Sequence, residues 1–217
     1  MEPFIFNKSN TFCISLLSKP ERWNRMQTRF EKLNMEVTRW PAATISDIKD
    51  PFYHALNDGQ KGCAQSHINI WRHIVENKIE YALILEDDAC FDVSWKEKLD
   101  EFCRQNEDKE WHMIFLNASE PIDPINTWTK ASEQYLTAGY VISLQSAEII
   151  LRDFSTCFFS SDWMTSRDQI YGHSYCYFPW LIIQEGIDST IGSNLDADRE
   201  KVIQCLSKIN YSLDNYI

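Results

Sequence analysis

The sequence predicts an α/β fold, a central sheet covered on both faces by helices. Two observations carry this. Segments that read as strands alternate with segments that read as helices. The strand segments are continuous apolar runs rather than strict apolar–polar alternations, the pattern of strands buried on both sides. With 217 residues, 44% hydrophobic and 13% aromatic, the chain has enough apolar surface to bury such a core.

Thr11–Leu17 (TFCISLL) reads as the first buried strand. Ser18 and Glu21 have the spacing of a capping box, and the helix they open carries Trp23, Met26, Phe30 and Leu33 near helical spacing. Val37–Trp40 reads as a short strand stopped by Pro41, and residues 44–60 as an irregular loop with an Asp58-Gly59 turn. Gly62–Glu76 is predicted helical, Tyr81–Leu85 a strand, Trp95–Cys103 an amphipathic helix and Trp111–Asn117 a strand. Residues 118–134 read as loop, Leu136–Ser143 as a strand and Ala147–Phe154 as a helix. Beyond Ser160 the pattern loosens, with a helix near Asp162–Tyr171 and a strand near Tyr175–Phe178. Neither an internal repeat nor a domain linker is visible, so residues 1–217 read as one domain.

A net charge of −11 excludes nucleic acid as the main partner, because a duplex binder needs a basic surface to displace counterions. The seven cysteines form no C-x-x-C pair and are odd in number, which argues for buried, reduced thiols rather than structural zinc or a disulfide framework. Residues 1–10 (MEPFIFNKSN) lack the pattern of a signal peptide, and no run approaches a membrane span. The expectation from these features is a cytoplasmic protein. The sequence does not specify an oligomeric state.

The strand Tyr81–Leu85 runs directly into Glu86-Asp87-Asp88. In open α/β sheets, ligands bind beyond the carboxyl ends of strands. Three adjacent carboxylates repel one another and are costly to fold together without a cation. In an extended segment Glu86 and Asp88 would share one side and Asp87 would take the other. That arrangement suits a hard divalent ion such as Mg2+ or Mn2+. The alternative is a solvated acidic turn.

Three stretches set the cluster in context: CISLLSKPERWNRM (13–26), GQKGCAQSHINIWRHI (59–74) and LILEDDACF (83–91). In order and spacing they resemble glycosyltransferase family 25, and TAGYVISLQSAEIIL (137–151) resembles a fourth segment of that family. The resemblance covers residues 11–165, read as a donor-binding core, and leaves 166–217 as an acceptor-side segment. It implies a GT-A-like nucleotide-sugar-binding fold with a single mixed sheet. It also implies inverting, metal-dependent transfer of a hexose, galactose or glucose, from a UDP-sugar to a hydroxyl. The acceptor would be a glycan, a lipid-linked saccharide or hydroxylysine of a collagen-like protein, the last suited to the acidic balance.

The resemblance also distributes roles. Asp88 and Glu86 become metal ligands (Mn2+ or Mg2+). Leu16, Arg22, Arg25, His67, Glu86, Asp87 and Thr137 line the donor side. Asp162 is the candidate base, its competing role being to cap a helix. A third metal ligand is left open among His173, Asp188, Asn194 and Asp196. Trp163, Tyr177 and Trp180 are candidates for stacking on sugar rings. Gly62 and Cys63 read as close packing, with no partner that would activate the thiol. Ser15 stands where the family commonly has Asn, and Gln60 where it commonly has Glu. Two other function classes compete. One is a catalytically inactive module that binds glycan or protein. The other is a metal-dependent phosphoryl or nucleotidyl transferase, although the sequence has neither G-x-x-x-x-G-K-[ST] nor G-x-G-x-x-G.

Overall fold

The structure, a computed structural model, describes residues 1–186 and 195–217. Its strands are β1 (Thr11–Ser15), β2 (Thr38–Pro41), β3 (Tyr81–Glu86), β4 (Ala89–Phe91), β5 (Met113–Phe115), β6 (Thr129–Lys130), β7 (Gly139–Ser143), β8 (Ser174–Cys176) and β9 (Ile182–Gln184). The helices are α1 (Pro20–Lys32), α2 (Asp58–Asn77), α3 (Trp95–Gln105), α4 (Leu144–Asp153), α5 (Ser161–Asp168) and α6 (Leu195–Lys208). Seven strands form one mixed sheet in the order β2-β1-β3-β7-β5-β8-β6, and β4 pairs with β9 in a separate two-stranded sheet. Strands β1, β2, β3, β5 and β8 run one way, while β7 and β6 run antiparallel to their neighbours. The carboxyl ends of β1, β3 and β5 therefore meet the entry to β7 at one edge.

Alternation along the strands builds two cores. Cys13, Leu83, Leu85, Ile114 and Val141 face Met26 and Phe30 of α1 and Trp95, Leu99 and Phe102 of α3. Their neighbours Phe12, Ile14, Ala82, Ile84, Tyr140 and Ile142 face Ile68, Trp71 and Ile74 of α2 and Ala147 and Ile150 of α4. The α/β architecture with helices on both faces is thus as the apolar runs predict. A third cluster packs Cys205 and Leu206 of α6 against Phe178, Trp180 and Ile183. The last residues clip onto β4: Phe91 and Ile217 exchange backbone hydrogen bonds at 3.0 and 2.8 Å, and Tyr211 donates its hydroxyl to buried Asp92. All seven cysteines are unpaired. Among the described residues no helix is long and apolar enough to cross a membrane.

Several local expectations change. No Ser18 capping box forms; Lys19 occupies the N-cap without a side-chain capping hydrogen bond and Pro20 opens α1. The ring of Pro20 presets the first-turn φ and removes one orphan donor, so the helix starts there without a hydroxyl cap. Asp58-Gly59 is not a turn but the first turn of α2, because Asn57 and Gln60 close a reciprocal capping box. That box also accounts for Gln60, since Gln serves it as Glu does. The strand expected from Leu136 begins at Gly139, after Leu136 adopts φ 82°. Strands β4, β6 and β9 are only two or three residues long, too short for periodicity to reveal.

Gly62 sits where α2 crosses the loop after β2, and a Cβ there would lie 2.7 Å from the Ala43 carbonyl oxygen. Ser66 ties the same contact, accepting from Ala43 N at 2.8 Å and donating to the Gly62 carbonyl at 2.8 Å. Gly62→Ala is expected to lower stability by about 1–3 kcal/mol in denaturant unfolding, since backbone rather than a flexible side chain must move. A variant as stable as wild type would show that the contact yields without cost.

Candidate active site

β3 delivers Glu86 to the carboxyl edge of the sheet, and Asp87-Asp88 form the turn that leads into β4. Extended alternation therefore ends at Glu86. Arg22 of α1 reaches both following carboxylates, at 2.6 Å to Asp87 Oδ1 and 3.4 Å to Asp88 Oδ2. The expected same-side pairing of Glu86 with Asp88 is replaced by two differently partnered groups. Glu86 faces α2, and the aspartates face α1.

Glu86 is held through one oxygen. Its Oε1 accepts from Thr137 Oγ1 at 2.8 Å and from His67 Nε2 at 3.2 Å, with the Cys63 thiol at 4.0 Å. Burial opposes ionisation here, but the His67 and Thr137 bonds win and hold the carboxyl below its usual range. Asp87 is pushed up by burial, partly offset by Arg22. Asp88 is pushed up to about 7, by burial first and by Glu86 next, with Arg22 opposing. Its Oδ1 is buried and has no hydrogen-bond partner among the described residues, and neither has Asp87 Oδ2.

Glu185 follows β9 and donates its backbone N–H to the Asp88 carbonyl at 2.8 Å. Its carboxylate is bound by Arg25 Nε at 2.9 Å and Arg29 Nη2 at 2.7 Å. The arginines 22, 25 and 29 thus line one side of α1 and face three acidic groups. Leu16, just past β1, accepts from Arg39 Nη2 at 3.0 Å, and Ser15 beside it borders Asp87. Asp162 lies in the first turn of α5 and accepts from Trp163 N at 2.8 Å, while Ser160 holds the N-cap position. Ser161, next to Asp162, contacts Thr137 Oγ1 at 3.0 Å, which brings this helix start to the Glu86 cluster.

The structure therefore brings together Leu16, Arg22, Arg25, His67, Glu86, Asp87, Asp88 and Thr137, with Asp162 at the adjoining helix start. His173 is not among them. It precedes β8, whose direction places it at the opposite end of the sheet, where it packs on His112 at 4.9 Å and faces Glu110 at 3.6 Å. It cannot serve as the third ligand. Asp188, Asn194 and the side chain of Asp196 lie outside the described residues. Tyr177 and Trp180 are buried in the core, whereas Trp163 is 38% exposed and stacks on Phe159 at 4.4 Å. Ser161 and Glu185 were not singled out as site residues from the sequence. Glu185 carries no local signal, because only the pairing of β9 with β4 brings it to Asp88.

Among the described residues, Cys63, His67 and Glu86 place ligand-type atoms within 4.8 Å of one another. They make a poor metal centre. Burial and then Glu86 keep the Cys63 thiol protonated, and both His67 nitrogens are already in hydrogen bonds. The trio is better described as the cradle that orients Glu86. The hard-oxygen donors that suit Mg2+ or Mn2+ are the carboxylates, and the orphaned Asp88 Oδ1 is the atom that fits such an ion best.

A family model described as "Glycosyltransferase family 25 (LPS biosynthesis protein)" matches residues 8–123. Procollagen galactosyltransferase 1 of Danio rerio is 29% identical over 168 residues, covering 65% of this chain and 28% of that protein. Glycosyltransferase 25 family member of Drosophila melanogaster is 29% identical, covering 63% of this chain and 26% of that protein. Glycosyltransferase 25 family member of Aedes aegypti is 30% identical, covering 67% and 28%. The chain spans 26–29% of the length of the curated relatives it matches. The family match takes in more than half of the chain, including Arg22, His67 and the Glu86-Asp87-Asp88 turn, and the chain belongs to glycosyltransferase family 25.

Proposed function

We propose that the chain is an inverting hexosyltransferase that moves galactose or glucose from a UDP-sugar to a hydroxyl, with Mn2+ or Mg2+ as cofactor. The observation that carries this reading is the turn after β3. There two aspartates keep buried oxygens without hydrogen-bond partners among the described residues, beside a Glu86 held firmly in place. Asp88 would hold the ion, assisted by Glu86. The bound ion would neutralise the diphosphate of the donor and of the departing nucleoside diphosphate.

The protein's own groups complete the site. Arg22 holds Asp87 and Asp88 in their turn, and Leu16 and Thr137 border the donor side. Arg25, half-exposed at 36%, has its guanidinium directed by Glu185 toward the same edge. Asp162 is the proposed base. It takes the proton of the acceptor hydroxyl as that oxygen bonds to the anomeric carbon, and the bond from that carbon to the diphosphate oxygen breaks. Exposed Trp163, one residue on, offers a face for a sugar ring. Among acceptors we favour the hydroxylysine of a collagen-like chain. Support comes from the net charge of −11 and from relatives named procollagen galactosyltransferase.

A panel of nucleotide sugars with Mn2+, read as released nucleoside diphosphate with and without a hydroxylysine peptide, tests the reading. The expected result is turnover of one UDP-hexose, stimulated by the peptide and abolished by chelation. If no sugar nucleotide bound or turned over, the enzyme reading would fall in favour of an inactive binding module. Release of pyrophosphate would instead favour nucleotidyl transfer.

A further inference from the structure

A buried chain of hydrogen bonds runs from the core to Glu86, and its direction is forced. Trp71 Nε1, which can only donate, lies 3.0 Å from Tyr140 Oη. Tyr140 Oη lies 2.8 Å from His67 Nδ1, and His67 Nε2 lies 3.2 Å from Glu86 Oε1. An ionised Glu86 can only accept, so His67 carries its proton on Nε2 and donates it there. Nδ1 then accepts, and the Tyr140 hydroxyl donates to it while receiving from Trp71. A doubly protonated ring would strand the hydroxyl proton of Tyr140, which is fully buried. The polarity is therefore Trp71 to Tyr140 to His67 to Glu86. A second arm agrees with it. Thr137 uses its proton on Glu86 Oε1 and so accepts from Ser161 Oγ at 3.0 Å. Both arms end on the same oxygen. Among the described residues no donor reaches Oε2, and the side chain is 20% exposed.

We infer that Trp71 and Tyr140 are positioning residues of the transfer site, acting through the His67 Nε2–H tautomer to saturate Glu86 Oε1 and leave Oε2 directed at the ligand. This rests on the reading of the site given above. Trp71 and Tyr140 would otherwise be core aromatics, and a core role would be served as well by Phe at position 140 or Leu at 67. The wire, by contrast, needs a hydroxyl at 140 and, at 67, a side chain that donates at one end and accepts at the other. Gln has that polarity at nearly the length of His, whereas Leu has the bulk without it.

The experiment joins kinetics to nitrogen-15 NMR of the imidazoles. Wild type should show one histidine locked as the Nε2–H tautomer, identified as His67 by its loss in His67→Gln, and Tyr140→Phe should release that lock. In donor turnover Tyr140→Phe should lose about 10–100-fold in kcat/KM, as removal of outer-shell partners commonly does. His67→Leu should lose at least as much, and His67→Gln should recover most of it, all three compared below their melting temperatures. A wild-type His67 in the Nδ1–H form, or exchanging freely between forms, would overturn the inference. So would equal activity of His67→Gln and His67→Leu, or wild-type activity in Tyr140→Phe. If wild type turned over no donor at all, the transfer reading would fail, and the wild-type spectrum alone would still decide the wire.

Discussion

Asp88→Asn is expected to lower cation-dependent kcat/KM by about 100–1,000-fold while making the cation-free protein more stable at pH 8. The two effects share one cause. The change keeps the side chain's shape but removes the charge that would hold the ion and, through it, the diphosphate. That same charge is buried beside Glu86 in the cation-free protein and only partly offset by Arg22, which is why the carboxyl is pushed up to about 7. A raised carboxyl binds its proton in the folded state over a range where the unfolded chain has released it. The slope of stability with pH is then negative from about 4 to about 7. The contribution of Asp88 is greatest at low pH and lost as pH rises through 7.

Thermal melts of wild type and Asp88→Asn in chelator should therefore lie closest near pH 5 and furthest apart near pH 8, with the variant higher. Added Mn2+ should raise the wild-type melt and leave the variant's largely unmoved. Retention of full transfer by the variant, or a loss of stability at pH 8, would remove Asp88 from the metal role.

Arg22→Met is expected to destabilise the cation-free protein by about 3–5 kcal/mol near pH 8, and to abolish transfer. Met matches much of the arginine stem, so the packing of α1 against Leu85 and Trp95 should survive. What goes is the charge 2.6 Å from Asp87 and 3.4 Å from Asp88, all in side chains less than 15% exposed. Both carboxyls would then rise further. Because protonation relieves them, the loss should shrink toward pH 5. Urea unfolding at the two pH values reads this directly. A loss below about 1 kcal/mol, or one equal at both pH values, would mean that Arg22 is not the counter-charge of this turn.

The layers of the fold were legible in the sequence because the strands are continuous apolar runs. Phe12-Cys13-Ile14 and Ala82-Leu83-Ile84-Leu85 serve two cores at once, and that demand is written into every position. The site was legible at its centre for a related reason. A carboxylate triplet at the end of a buried strand is costly enough to need an explanation. The local errors have equally local causes. Ser18 lost to Pro20 as a helix start, and Asp58-Gly59 lost to the Asn57–Gln60 box, because each position carried two competing signals.

What the sequence by itself determined was the architecture, the carboxylate turn and the residue types around it. Only the tertiary structure decided who partners whom. Cys63 and His67 from α2, Thr137 before β7 and Ser161 from α5 converge on Glu86 across 19 to 75 residues of chain. Glu185 reaches Asp88 only because β9 pairs with β4. His173 was excluded only by the direction of β8. Periodicity records which face of an element is buried. It carries no record of which element lies opposite, and in this protein that second fact decides which groups reach Glu86 Oε1.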